Sequence, residues 1–435
     1  MKKKIKKKEV YVGLAADILH EGHINILKVA KSLGNVTVGL LTDSAIASYK
    51  KFPHLDYRQR EIVLRNIKYV KKVVKQESLD YRPNLKKFKP DYVVHGNDWK
   101  TGVQKQIRKQ VISTLKKWKG KLIEPKYTKN ISSSQIKEKI REIGTSPENR
   151  VAKLKRLIEA KDIVRIIETH SALNGLIVEN LQLKKNSKIL EFDGMWSSSL
   201  TDSAIRGKPD NQAVDYSTRI LGLNEILQVT TKPFIFDADN GGRLEHIPYM
   251  IKSLERSGVS AVVMEDKIGL KRNSLFKDQI GVKQDSIKNF SKKLYKAKNA
   301  KISEDFYIVA RIESFILGKG LNDAIKRAEA YSKAGADAIL IHSKEKKPFE
   351  IFKFSKKFKN SKFFKPIIAV PSTYSKTYEK QLIKNDIKIV IYANHFLRAV
   401  HPAMEKVAKS ILSNQRSFES EKFISPIGQI INLIK

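Results

Sequence analysis

Apolar and polar positions alternate in two successive series along the 435-residue chain. In the first third, apolar runs at 9–17, 35–42, 70–75, 91–95 and 121–125 read as strands, and the stretches between them carry helical spacing. Alternation of β and α in such short units predicts a doubly wound parallel sheet. A helix with a serine cap is predicted from Ile131 onward. The turn-rich run from Gly144 to Asn149 is the best linker. It sets a first domain at 1–143, a linker at 144–150 and a second domain at 151–435.

After residue 150 the alternation resumes. Strand-like runs lie at 188–196, 233–238, 261–265, 306–312, 338–342, 366–370 and 387–392. An eighth, short strand is expected near 208–214. Units of this kind over the second domain predict a (β/α)8 barrel of TIM type. Two of its runs stop abruptly in carboxylates, at Asp237-Ala-Asp239 and at Glu265-Asp. Buried parallel strands look like this when their C-terminal ends line a site. If the strand continues past Asp237, period two puts Asp237 and Asp239 on one side. With Glu265 they offer three carboxylates, a donor set suited to a hard cation such as Mg2+. The plainer alternative, a cap for the next helix, leaves the following Asn-Gly-Gly unexplained. Arg311, His342 and Asn394 end further strands.

The first domain carries a different chemistry. His20-Glu-Gly-His23 falls between the first strand and a helix N-terminus, where free N–H groups and the helix dipole attract phosphate. Two imidazoles there can donate as charge builds during displacement. Ser132, Ser133 and Ser134 offer hydroxyls at a second helix start. Each piece taken alone is also an ordinary cap.

Composition adds exclusions. Cysteine is absent, which removes disulfides, thiolate metal sites and a cysteine nucleophile. No apolar run of ~18 residues occurs, so no membrane span is expected, and the basic start lacks a signal-peptide core; the expectation is a cytoplasmic protein. The net charge is +40, from 85 basic and 45 acidic residues. The lysines are spread along the whole chain without interleaved aromatics, which reads as a lysine-rich surface and not as a nucleic-acid interface. The field favours anionic substrates either way.

Residues 9–143, with their His20-Glu-Gly-His23 and serine-rich segment, resemble the cytidylyltransferase family of nucleotidyltransferases, and so imply a Rossmann-like sheet. The resemblance implies that His20 and His23 contact the phosphates of CTP. It also implies that Ser132, Ser133 and Ser134 line the nucleotide site, with Lys50 or Lys51 as a phosphate lysine. Gly96-Asn-Asp98-Trp99 resembles the loop after the fourth strand. Tyr127 and Asn130 stand where the family usually has Arg and Gly, and Ala16 where it has Phe; these departures leave the second substrate open.

Residues 151–430 resemble phosphoenolpyruvate mutase, within the isocitrate lyase superfamily. The matching segments are Trp196-Ser-Ser-Ser-Leu, Asp237-Ala-Asp239, Glu265-Asp-Lys-Ile-Gly-Leu-Lys271-Arg-Asn273-Ser274, Arg311-Ile-Glu, His342-Ser-Lys and Asn394-His. The resemblance implies isomerisation of phosphoenolpyruvate to phosphonopyruvate, with Mg2+ held by Asp237, Asp239 and Glu265. Trp196, Ser198 and the backbone at Ser199 and Leu200 would hold the substrate carboxylate; many relatives have Gly at the Ser199 position. Arg311 and His342 would grip the phosphoryl group. The loop 266–275 would close as a lid, bringing Lys271, Asn273 and Ser274 over the substrate. Asp210 matches an essential carboxylate, and the family assembles as tetramers. The implied whole is a bifunctional enzyme of phosphonate biosynthesis, whose first domain transfers CMP to a phosphonate such as 2-aminoethylphosphonate or 2-hydroxyethylphosphonate. Its rivals are a phosphonopyruvate hydrolase, a C–C lyase of the same superfamily, and a basic nucleic-acid-binding protein with degenerate sites.

Overall fold

A computed structural model describes residues 7–100, 104–125, 145–185, 188–269, 271–276 and 279–434. The serine-capped helix, with Tyr127, Asn130, Ser132, Ser133 and Ser134, lies outside these residues. By contacts the chain divides into two compact units. One is Met1–Ile143 with Glu159–Lys161 and Gln182–Leu190; the other is Gly144–Ile158, Asp162–Leu181 and Glu191–Lys435.

The first unit holds the five expected strands, β1 (Glu9–Leu14), β2 (Asn35–Leu41), β3 (Lys72–Gln76), β4 (Tyr92–Val94) and β5 (Lys121–Ile123), in the order β3-β2-β1-β4-β5. Every pairing is parallel. Strand period two explains how one sheet serves two cores. Val10, Val12 and Leu14 pack with Leu27, Ala30 and Val36 on one face. Tyr11, out of phase, packs with Leu85, Val93, Trp99 and Leu115 on the other.

The second unit is a closed barrel of eight strands, as expected. They are β6 (Val164–Glu168), β9 (Gly194–Ser197), β10 (Phe234–Asp237), β11 (Ala261–Glu265), β14 (Tyr307–Ile312), β15 (Ala338–Ile341), β16 (Ile367–Ala369) and β17 (Ile387–Tyr392). Two small antiparallel pairs stand outside the sheet and the barrel: β7 (Leu183–Lys185) with β8 (Lys188–Leu190), which falls in the first unit, and β12 (Lys267–Ile268) with β13 (Lys283–Gln284), in the second. The eighth strand is not at 208–214, which forms no strand; it is β6, seated between β17 and β9. Its Ile-Val-Arg-Ile-Ile-Glu run follows directly on the helix Pro147–Ala160 and merges with that helix's apolar pattern. The run expected at 188–196 also divides. Lys188–Leu190 goes to the hairpin, and the barrel strand starts only at Gly194, after Asp193 has bonded the backbone of Arg165.

Strand phase then decides which side chains enter the barrel mouth. Phe234 and Phe236 join the cluster between strands and helices, as do Val262 and Met264, Ile308 and Ala310, and Ile339 and Ile341. Asp237, Glu265, Arg311 and His342 are each one step out of phase, so they take the interior face at the C-terminal ends of β10, β11, β14 and β15.

Candidate active site

Asp237 ends β10 and is buried. The chain then turns: Asp239 lies in the left-handed region at φ 49°. The strand therefore does not continue, and a turn brings Asp239 back to the cluster. The Asp239 N–H donates to Asp237 Oδ1 at 3.1 Å, and its carbonyl accepts from Glu265 N–H at 2.7 Å. A buried residue invisible in the sequence holds this corner. Arg219 donates to the Asp237 carbonyl at 2.6 Å, to Asp202 at 2.8 Å and to Ser197 Oγ at 3.2 Å. In sequence it reads as an ordinary helix arginine.

Lys271 reaches into this cluster. Its ammonium bonds Asp239 and Ser199 Oγ, and lies 3.1 Å from Asp210 and 3.9 Å from Asp237. The same loop sends Asn273 to donate to the other Asp210 oxygen at 3.1 Å. Ser199 contributes its side chain as well as its backbone, since its hydroxyl donates to Asp237 at 2.9 Å. Burial would raise Asp237, but the charges of Lys271, Arg311 and Arg219 hold it down at about 2. Burial pushes Glu265 up to about 7 against the pull of Arg311 and Lys267. For Lys271 burial opposes the charge, yet the surrounding carboxylates hold it well above its usual range.

Around the mouth, Arg311 is held in a fixed fork. It donates to Glu313 at 2.6 Å and to Ser274 Oγ at 2.8 Å, lies 3.3 Å from His342 Nδ1, and stands 3.4 Å from Glu265. Glu313 sits well below the usual carboxylate range: burial opposes this, and Arg311 with His342 and Lys267 overrides it. Burial keeps His342 below its ordinary value. Lys267 lies beneath the loop, donating to Ser274 Oγ and to the Arg272 carbonyl at 2.9 Å each. Trp196, Ser198, Ser199, Leu200, Asp210, Asp237, Glu265, Lys271, Asn273, Ser274, Arg311 and His342 all line one cavity of about 60 Å³. Asp239 borders it through Lys271.

Among the described residues no group of three carboxylates or imidazoles is arranged to hold a metal ion in this conformation. The charge that a cation would supply is supplied by Lys271. The donors nonetheless fit a hard ion, being all oxygens, and Glu265 Oε2 is buried without a hydrogen-bond donor among the described residues.

The first unit has its own cavity, about 430 Å³, at the C-terminal ends of β1 and β4. There the strand order reverses, the usual crevice of a doubly wound sheet. His20 caps the helix Glu21–Leu33, its Nδ1 accepting from Gly22 N–H at 3.2 Å, and its ring lies 4.0 Å from that of His23. Burial, with the charges of His20 and Lys50, depresses His23 to about 3, so it is a neutral imidazole at physiological pH. Lys50 lines the cavity, together with Tyr81, His95 and Trp99. His95 stacks on Trp99 at 3.8 Å, and Trp99 Nε1 donates to Glu124, which Arg108 grips through two bonds of 2.7 Å. His95 escapes sequence reading because only the strand order shows that β4 lies beside β1. A buried Arg60 braces the floor by donating to the carbonyls of Ala15 at 2.6 Å and Leu41 at 2.8 Å.

Comparison with known proteins supports both halves. Residues 154–412 match the family model described as phosphoenolpyruvate phosphomutase, and residues 11–139 match the cytidylyltransferase-like model. The phosphoenolpyruvate phosphomutase of Tetrahymena pyriformis is 36% identical over 292 residues, 66% of this chain and 92% of that protein. The phosphonopyruvate hydrolase of Variovorax sp. (strain Pal2) is 33% identical over 287 residues, covering 65% and 95%. The crystal structure of phosphoenolpyruvate phosphomutase from Streptomyces platensis subsp. rosaceus superposes with a TM-score of 0.60 at 32% identity, covering 65% of this chain and 94% of that one. A phosphonopyruvate hydrolase complex with oxalate and Mg2+ superposes with 0.57 at 29% identity, covering 66% and 95%.

Proposed function

The chain belongs to the phosphoenolpyruvate phosphomutase family, and from that premise we propose that its barrel interconverts phosphoenolpyruvate and phosphonopyruvate. The observation that carries this reading is the loop itself: Lys271 and Asn273 both reach Asp210 within the barrel mouth, opposite the Arg311–Glu313–Ser274 fork. The reaction breaks the P–O bond of phosphoenolpyruvate, leaves the electron pair on the pyruvate enolate, and forms a P–C bond at the methylene carbon. Nothing is gained or lost, so the enzyme must hold two fragments and keep water away.

Asp237, Asp239 and Glu265 would hold Mg2+, which supplies positive charge to the enolate oxygen when bound. Ser198 and the N–H groups of Ser199 and Leu200, beside Trp196, orient the carboxylate. Arg311, fixed by Glu313, offers a rigid guanidinium to the phosphoryl oxygens, and His342 sits beside it. Asp210, gripped by Lys271 and Asn273, ties the loop shut over the substrate, and Ser274 links the loop to Arg311. Phosphonopyruvate hydrolysis is the second reading, favoured by the 33% identity to the Variovorax enzyme. Phosphorus NMR of phosphonopyruvate with the protein and Mg2+ separates them: phosphoenolpyruvate is the expected product, and inorganic phosphate alone would falsify the mutase reading.

For the first unit the proposal is CMP transfer from CTP to a phosphonate, with His20, His23 and Lys50 on the phosphates and Ser132, Ser133 and Ser134 at the nucleotide. The paired imidazoles at a helix start beside a cavity of about 430 Å³ support it. The expected outcome is pyrophosphate release from CTP that depends on an added phosphonate. A homo-oligomer in the cytoplasm completes the proposal.

A further inference from the structure

Asn394 occupies the position before the helix His395–Asn414, where an asparagine side chain ordinarily accepts the first free N–H groups of the helix. Here it caps nothing. Glu168, at the end of β6, takes that task from another strand: its Oε2 accepts from Phe396 N–H at 3.0 Å and Leu397 N–H at 3.3 Å, while its Oε1 pairs with His170. These are the two N–H groups that a capping Asn394 would satisfy. Asn394 is thereby released. Only 8% of it is exposed, its Oδ1 is buried without a hydrogen-bond partner among the described residues, and it lines the barrel cavity with Ser372, Arg311 and His342.

A buried amide left unsatisfied is costly unless a ligand completes it. Within the barrel order, β17 lies four strands from β11, so Asn394 faces Glu265 across the mouth. The acidic platform and Arg311 take the charged groups on their side. A neutral amide opposite them gives direction without adding charge. The amide can turn about its terminal bond, so its nitrogen can take the place of its oxygen and donate.

We propose that Asn394 is a further substrate-contacting residue of the barrel, released from capping by Glu168 so that its amide donates to an anionic oxygen of the phosphonate substrate. Glu168 is the positioning residue that makes this possible. The inference rests on the mutase reading for the identity of the substrate.

Asn394→Asp keeps the size of the side chain and replaces its donor with a carboxylate, while Asn394→Ala removes the amide without adding charge. Wild type, Asn394→Asp and Asn394→Ala are compared with phosphonopyruvate and Mg2+, by phosphorus NMR for turnover, by calorimetry for binding and by melting temperature. Asn394→Asp is expected to weaken both binding and kcat/KM by about ten- to hundredfold, the scale of one charge-assisted hydrogen bond turned repulsive. It should do worse than Asn394→Ala when both are assayed below their melting temperatures. A residue that only capped would give the reverse order, with Asp active and Ala impaired. Wild-type binding and kcat/KM in Asn394→Asp overturns the inference. Absence of phosphoenolpyruvate from the wild type, with binding retained, overturns the mutase reading instead, and the binding comparison still decides the role of Asn394.

Discussion

At the scale of single residues, the two sites should be separable. Asp237 stands at the centre of the barrel cluster, bonded to Ser199 and Asp239 and held ionised. Asp237→Ala is expected to lower phosphonopyruvate turnover by at least about a hundredfold, the cost of losing one electrostatic stabiliser, and to leave pyrophosphate release from CTP intact. His23→Ala is expected to do the opposite. Parallel assays on both variants check this, and joint loss of both activities in either one would sink the two-site picture. The groups that sequence reading found are those whose chemistry is local: acids ending an apolar run, or paired imidazoles beside a helix start. Those it missed are defined by distant partners. Arg219 meets Asp237 from the helix Tyr216–Gln228, Glu168 meets the amides at 396 and 397, and the Ser199 hydroxyl acts only because Lys271 and Asp237 arrive beside it. No spacing in the chain encodes those meetings.

At the scale of elements, the loop that carries Lys271 and Asn273 is anchored at both stems. β12 and β13 stitch its ends together. Below them Asp266 accepts from Arg327 at 3.0 Å, Tyr331 at 2.8 Å, Gln284 at 2.9 Å and the Glu313 N–H at 2.9 Å. Burial lifts Asp266 to about 6 despite Arg327. Asp266→Asn keeps the shape but removes the charge that holds Arg327. It is expected to loosen the loop and to raise the share of inorganic phosphate among the products, read by phosphorus NMR, because water then competes for the phosphoryl group. An unchanged product ratio with a lowered melting temperature would assign Asp266 to folding alone. Sheet and barrel were legible because buried parallel strands are continuous apolar runs. β6 was not, because an apolar strand directly after an apolar helix leaves no break in the pattern, and its identity is fixed only by closure between β17 and β9.

At the scale of the molecule, the first unit should respond to acid through one buttressed carboxylate. The Arg108 and Trp99 bonds hold Glu124 down at about 2 although burial works against them. A carboxylate so depressed contributes stability that is present above its unfolded value and lost as pH falls from about 4.5 to about 2. With Glu124 partly open to solvent, that contribution is about 1 kcal/mol. Acid titration of melting curves should show it in wild type and not in Glu124→Gln. The helix His395–Asn414 has no buried residue, and its Met404 and Leu412 are among the more exposed apolar side chains. Such a surface is expected to be covered by a second copy. Light scattering should give an oligomer for wild type and a smaller species for Leu412→Asp.

The ammonium of Lys271 among Asp210, Asp237 and Asp239 means that the protein carries its own counterion. Clustered buried carboxylates normally make a metalloprotein fragile once its ion is chelated, because uncompensated charge is stranded out of water. Here the cluster stays compensated with or without a divalent ion. Chelation should therefore silence catalysis without melting the fold, and the metal-free protein should survive storage and reawaken when the ion is returned.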